Sequence, residues 1–476
     1  MKKIQWVLLI LIFLVAVLVR LRGYTKLTYS VGVRDTDSYL QASEVAFPSW
    51  QFFTSPRSAT IPLLYKILRP EKGYQITVIG DPAKSTPASL KPQQGFNRVV
   101  IFQIAVAIFS WSCLVLVLFY RLRNPLVKVA IAFLVLSFAY VPQMADWDNV
   151  LNSESLSFSL HALLIALVIE LAFTWAQDRA KAAWLRYALM GLIFLVMVAW
   201  VFTRDTNAYL LLFSSGILMV CLLLAVWRKI AQVKPLVVLL VLFLGLFIFQ
   251  QVTFRASERW LLPFLNNMTA YVLRYPSRVA FFERRGMPVT PELLRIRGAA
   301  EKSGIYEQAE FLSWARQRGL SAYTQFLFSN PGWAISLVYN DLEYVFNENI
   351  QPYFREFTRE NVPEHLRPYT ERPEWLAPYG NLLHPISSGI VLVDLILALV
   401  LVGQALRLHT SEARIWAGVG AWLFLGGVIL LLVGYLGEVR SIVRHAQGGI
   451  VPLRLALWLL LAMVAEVSGS RHEGTA

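Results

Sequence analysis

The chain has 476 residues, 57% of them hydrophobic, with a mean hydropathy of +0.53 and its apolar residues gathered in long uninterrupted runs. That composition excludes a soluble globular protein of this size and leaves an integral membrane protein. The net charge of +14 calls for no nucleic acid, because cytoplasmic loops collect Lys and Arg and anionic lipid attracts them.

The N-terminus, Met-Lys-Lys followed by the apolar run 4–19, lacks a small-residue cleavage site. Arg20-Leu21-Arg22-Gly23 follows instead, so the run reads as a retained first span. A bilayer-crossing helix needs about 20 mainly apolar residues. By that rule ten spans follow one another, at roughly 4–20, 97–119, 126–142, 153–174, 185–203, 207–227, 234–254, 386–406, 415–435 and 450–467. The predicted fold is an all-α integral membrane protein, with a helical outer cap built from two long extracytoplasmic loops. Residues 1–254 form an N-terminal transmembrane module whose first outer loop is 21–96. Residues 255–385 form a large outer loop, and 386–476 a C-terminal transmembrane module. In the large loop Trp260, Phe264, Met268 and Tyr271 recur at helical spacing, as do Leu337, Asp341, Tyr344 and Val345, which predicts short amphipathic helices. Cys113 and Cys221 both fall in apolar runs, so no disulfide framework is expected.

The connections sort by charge. Arg121/Arg123/Lys128, Arg179/Lys181/Arg186, Arg228/Lys229/Lys234 and Arg407/Arg414 fall in alternate loops, on the side of Lys2 and Lys3. The positive-inside rule makes that side cytoplasmic, with both termini inside a cell (plasma or inner) membrane. Reporter fusions after Leu122 and Arg228 are therefore expected to report cytoplasm, and fusions near Gly80 and Tyr306 the outside. A cytoplasmic signal from the 255–385 loop would overturn this topology.

The opposite set of connections carries paired acids and arginines: Arg34-Asp35-Thr36-Asp37-Ser38-Tyr39, Asp146-Trp147-Asp148, Arg204-Asp205 and Glu438-Val439-Arg440. Asp35 suits the N-cap of a helix beginning at Thr36, with Asp37 in its first turn. A carboxylate held there at the membrane–water boundary also suits a general base. Arg57, just before the apolar stretch Ile61-Pro62-Leu63-Leu64-Tyr65, can offer a guanidinium fork to a phosphate, or simply bind lipid headgroups. Plainer readings exist for the other groups as well: Glu154 starting a helix, Arg204 and Asp205 forming a local ion pair, and Arg440, Arg444 and His445 anchoring a helix end. His161 is given no role.

The order of an apolar span, then Arg-Asp-x-x-x-Tyr-x-x-Ala, then Arg-x-x-x-x-Pro-Leu resembles the first outer loop of GT-C superfamily glycosyltransferases, with Asp35, Tyr39, Ala42, Arg57, Pro62 and Leu63 at the matching places. Asn152-Ser153-Glu154-Ser155-Leu156, Thr203-Arg204-Asp205-Thr206-Asn207 and Glu438 through Arg444-His445 resemble three later outer segments of that family, in order. Many relatives carry an Asp-Glu pair in the first loop; here Thr36 follows Asp35 and the second acid is Asp37, so both remain candidates for the base. The resemblance implies an inverting membrane glycosyltransferase of the protein mannosyltransferase or aminoarabinose transferase type. It implies a polyprenyl-phosphate-linked sugar donor, a glycan, lipid or protein acceptor, and an extracytoplasmic active site. Asp35 or Asp37 would be the base, and Arg57, Arg204, Arg440, Arg444 and His445 would bind the donor phosphate. Tyr39, Asp148, Glu154 and Glu438 would contact substrate. The resemblance fixes no cofactor, and leaves a divalent metal open. Trp260, Tyr271 and Trp333 are of a type that stacks on sugars. No nucleotide-binding signature stands in any cytoplasmic loop, which favours a lipid-linked donor. Competing readings are an O-antigen-type polymerase or ligase, which does not need the first-loop acids, and a transporter or flippase, which usually shows internal repeats.

Overall fold

The structure, a computed structural model, describes residues 2–23, 30–33, 35–75, 93–176, 183–229, 233–300, 303–347, 376–440 and 442–469. Arg34, the Arg179/Lys181 pair and the Gly80 fusion point lie outside the described residues. The N-terminal half runs α1 Lys2–Gly23, α2 Thr36–Glu44, α3 Trp50–Phe53, α4 Thr60–Ile67, α5 Asn97–Arg121, α6 Pro125–Tyr140, α7 Pro142–Ala145, α8 Glu154–Ala176, α9 Ala183–Val201, α10 Ala208–Trp227 and α11 Lys234–Ala256. Then come α12 Leu261–Asn267, α13 Pro276–Glu283, α14 Pro291–Arg295, α15 Ala309–Trp314, α16 Leu320–Ser329 and α17 Pro331–Asn347. The chain closes with α18 Leu376–Leu383, α19 Gly389–Leu408, α20 Ser411–Gly437 and α21 Ile442–Gly469. Among the described residues the only β pairings are two isolated bridges, Val31 to Val150 and Gln75 to Gln94.

Nine helices among the described residues are long and apolar enough to cross a membrane, and a bent pair brings the number to ten. The bent pair is α6 with α7 and the turn after it, angled by 50°. Pro142 explains the break, since it supplies no amide hydrogen and disfavours helix in the residue before it. The ten agree in number and order with the sequence reading. One boundary is corrected: the last span starts at Ile442, not near residue 450. Ile442 to Gly449 is polar for a span, yet Gly434 and Gly449 let α20 and α21 approach closely enough to cover it in part. A Cβ on Gly449 would overlap Leu431, and one on Gly434 would press on the His445 carbonyl. Burial in the α1 window is 11% against 72% in the α21 window, so α1 faces lipid and α21 is the central helix.

The turns gather at two opposite ends. Glu466, near the C-terminal end of α21, accepts hydrogen bonds from the Arg123 and Asn124 amides at 2.7 and 3.0 Å, and Arg123 pairs with Glu412 at the start of α20. Arg121 and Glu170 pair at the same end. The N-terminus of α21 lies at the other end, roughly 42 Å away along a 28-residue helix.

Residues 261–329 form a cap with its own core, in which Phe264, Phe282, Phe311 and Phe326 are buried. Short π-helical turns at Met268–Val272 and Ala315–Gly319 join its helices. The Asn267 side-chain amide fastens the cap to the end of α20, donating to the carbonyls of Leu436 and Gly437 at 3.0 Å each. The end of α17 instead packs on the bundle, with Val345 and Phe346 against α20 and α21, and the fully buried Arg454 donates to the Phe346 carbonyl at 2.7 Å. Trp260 is buried in the cap core and so is closed to a sugar, and the Arg278 guanidinium lies over the half-buried Trp333 ring at 4.7 Å.

Candidate functional site

Backbone hydrogen bonds bring distant segments together at the end of the bundle away from Glu466. Val31 N donates to the Asn149 carbonyl at 2.8 Å and Leu151 N to the Val31 carbonyl at 3.0 Å. The Thr36 hydroxyl donates to the Leu151 carbonyl at 3.1 Å and accepts from Val33 N at 2.8 Å. These bonds set the start of α2 beside the start of α8. Thr60 donates through its amide to the Phe202 carbonyl (3.0 Å) and through its hydroxyl to the Ala199 carbonyl (2.7 Å), which sets α4 against the turn that carries Arg204. The Asn207 side-chain amide then ties that turn to Ser157 on α8 at 3.2 Å.

Five charged groups meet where these segments converge. Asp35 binds Arg57 through Oδ1 (2.6 Å) and Arg444 through Oδ2 (2.7 Å). Arg444 Nε donates to Glu154 Oε1 at 2.8 Å, and Glu154 is fully buried. Arg57 Nε donates to the Ser38 hydroxyl at 2.6 Å, with its guanidinium 4.9 Å from the centre of the buried Tyr39 ring. Arg204 Nη2 donates to the Arg444 carbonyl at 3.3 Å, while Nη1 is buried with no hydrogen-bond partner. His445 shares the electrostatic neighbourhood of Arg204, Arg444, Glu154 and Asp35. The Asp35, Arg57 and Arg444 side chains are 20 to 29% exposed, so the cluster opens to solvent on one side.

Asp35 sits at the N-cap position of α2, but its backbone is helical and its side chain makes no capping bond. It faces the arginines instead. Burial raises its pKa, and the Arg444 and Arg57 guanidiniums more than reverse this, holding the carboxyl well below the usual range. Because the folded pKa is depressed, the bridges contribute stability above the unfolded value of about 3.9, and that contribution fades as pH falls through the folded value. Burial also raises the Tyr39 hydroxyl, so it stays protonated at neutral pH.

Of the residues singled out in the sequence, Asp35, Tyr39, Arg57, Glu154, Arg204, Arg444 and His445 come together, and four do not. Asp37 is exposed, without an ion pair or hydrogen bond among the described residues. Asp148 is buried against Arg20 and accepts from the Ser155 hydroxyl at 2.6 Å. Glu438 accepts from Asn266 in the cap at 3.1 Å, and from the Arg440 amide at 2.8 Å, while the Arg440 side chain is exposed. The local Arg204–Asp205 pair does not form: Asp205 pairs with Arg259, through Nε at 3.0 Å and Nη2 at 3.1 Å. Sequence reasoning missed Ser38, Arg259 and the Asn266-Asn267 pair. Two adjacent amides in an otherwise apolar helix were the available signal for the last of these.

The donor set does not fit a divalent metal. Among the described residues no three His, Cys, Asp or Glu side chains come together as metal ligands. Asp35 and Glu154 are joined through one guanidinium, and three arginines would repel a dication.

No protein-family model matches the chain, and no curated protein sequence is similar to it. Among solved structures, the chain is similar to the oligosaccharyltransferase AglB from Archaeoglobus fulgidus in complex with an inhibitory peptide and a dolichol-phosphate, with a TM-score of 0.41 and 12% identity over 96% of this chain and 50% of that one. The apo form of the Archaeoglobus enzyme gives 0.41 and 12%, covering 95% and 50%. The form tethered to an acceptor peptide containing the NVT sequon gives 0.41 and 10%, covering 96% and 49%. The chain thus spans about half the length of these proteins, and the likeness is too slight to carry a conclusion.

Proposed function

We propose that this protein is a membrane glycosyltransferase that moves a sugar from a polyprenyl-phosphate-linked donor to an acceptor on the outer face of the membrane. One observation carries the reading: the cluster is short of an anion. Three guanidiniums (Arg57, Arg204, Arg444) face two carboxylates (Asp35, Glu154), and a nitrogen of the nine-tenths buried Arg204 has no acceptor. A buried donor left unsatisfied costs about 1–3 kcal/mol, more when charged, so such a nitrogen points to a ligand that completes it. A phosphate at the membrane boundary suits guanidinium forks in charge and geometry. Its prenyl tail would stay in the hydrocarbon beside the apolar bundle.

In the reaction the acceptor oxygen or nitrogen attacks the anomeric carbon from the face opposite the phosphate, and the carbon–oxygen bond to phosphate breaks. The bonding electrons leave on the phosphate oxygen, where the arginines stabilise the new charge, and the acceptor proton passes to Asp35. Inversion at the anomeric centre follows. The sequence resemblance to GT-C enzymes supports this reading independently of the geometry. A transporter reading gains nothing from the site, whose charges lie at one end of the bundle and not at mid-membrane.

The test is binding of farnesyl phosphate to the purified protein in nanodiscs, with farnesol and inorganic phosphate as separate halves of that ligand. Farnesyl phosphate is expected to raise Tm far more than either half, and Arg204→Gln to remove most of that rise. Equal stabilisation by farnesol, or indifference to Arg204→Gln, would remove the phosphate from the site.

A further inference from the structure

The groups assigned to the phosphate and the group assigned to the acceptor occupy one another in the free protein. Asp35 has both carboxylate oxygens engaged, Oδ1 by Arg57 at 2.6 Å and Oδ2 by Arg444 at 2.7 Å. A carboxylate held by two guanidiniums is a poor base, because both charges favour its ionised form. The outer nitrogens of these same arginines are the ones a phosphate would take.

We propose that the donor phosphate unlocks the base: on binding, it draws the outer nitrogens of Arg57 and Arg444 off Asp35, so that an acceptor is deprotonated only when a donor is already seated. The inference rests on the phosphate reading above and adds a compulsory order, donor before acceptor. Three features of the site carry it. Arg204 Nη1 has no partner to give up, so its contact with the phosphate costs no existing bond. Arg444 keeps a second anchor that does not involve Asp35, Nε on Glu154 at 2.8 Å. Arg57 keeps one too, Nε on the Ser38 hydroxyl at 2.6 Å, with its plane over Tyr39. Each guanidinium can therefore pivot on its Nε and exchange its contact with Asp35. Glu154 is on this view a positioning residue, holding Arg444 in place in both states. In this exchange no proton moves until the acceptor arrives.

The experiment is the affinity for farnesyl phosphate of four proteins in nanodiscs: native, Asp35→Asn, Arg57→Gln and the double variant. Arg57 is partly exposed, so its loss leaves no buried charge unpaired. If phosphate competes with Asp35 for the arginines, Asp35→Asn binds about 2- to 30-fold tighter than native, the worth of two partly exposed ion pairs. In the Arg57→Gln background one bridge is already gone, so the gain shrinks to about its square root. A gain of unchanged size there means that only through-space repulsion was relieved, and it overturns the unlocking. So does an Asp35→Asn affinity equal to native. Failure of the phosphate reading itself looks different: farnesyl phosphate affinity is then indifferent to Arg57→Gln, whatever Asp35→Asn does.

Discussion

Asp35→Asn is expected to lower turnover by about 10²- to 10⁴-fold, the usual contribution of a positioned general base. The amide keeps the size of the carboxylate and one oxygen for a guanidinium, but it accepts no proton. Because Asp35 is partly exposed and its arginines have other anchors, the variant should remain folded and bind farnesyl phosphate. Asp37→Asn should be mild, since Asp37 points to solvent without a partner among the described residues. The pH profile adds a second readout. With Asp35 bridged to Arg444 and Arg57, the acidic limb of kcat/KM, which reports the free protein, should fall below the ordinary aspartate value of about 3.9. If the donor releases those bridges, the acidic limb of kcat should lie at higher pH than that of kcat/KM. Near-native turnover of Asp35→Asn would show that the base is misassigned. Equal losses at Asp35 and Asp37 would point to a role shared by the two acids.

The spans were legible because hydrocarbon thickness demands long apolar runs, and nothing else in the chain imitates them. The alternation of Arg-rich and acid-bearing turns pointed to the charges that meet, since connections that leave the bundle at one end can approach one another while those at opposite ends cannot. Asp35, Arg57, Glu154, Arg204 and Arg444 meet across up to 409 positions of sequence for that reason (444 minus 35). What composition could not reveal was the partner of each charge. Asp148 looked like a site residue because it sits in an acid-bearing turn. Arg20, near the C-terminal end of the first span and only 2% exposed, turns inward to neutralise it. Asp205 looked bound to its neighbour Arg204, but the neighbour's side chain points into the cluster, and Arg259, 54 positions on, reaches Asp205 instead. The early start of α21 was hidden for a related reason. The polar stretch around Arg444 and His445 is helical because α20 covers it through small residues, a tertiary effect that local hydropathy does not record.

That exchange of partners yields the sharpest remaining contrast, between two arginines of neighbouring segments that look alike in sequence. Arg259 is saturated: it binds Asp205 through two nitrogens and donates to the carbonyls of Ser55 (3.0 Å) and Phe53 (3.3 Å), tying three segments together. Arg204 has one long bond to a backbone carbonyl and a nitrogen with no acceptor. An arginine with so few internal bonds adds little to folding, and on the phosphate reading proposed above its buried, incompletely paired fork waits for the donor. Arg204→Lys should therefore leave Tm close to native while lowering kcat/KM by roughly 10²- to 10³-fold, equivalent to about 2.7–4 kcal/mol for a donor aimed at charge developing in the transition state. Lysine keeps the charge but not the fork, so it should restore little. Arg259→Lys should show the opposite pattern, a lowered Tm with turnover per folded molecule near native. Both variants measured in the same nanodisc lipid separate the roles. Native kcat/KM in Arg204→Lys, or a loss of Tm matching that of Arg259→Lys with turnover intact, would make Arg204 a structural residue and leave the cluster without its phosphate.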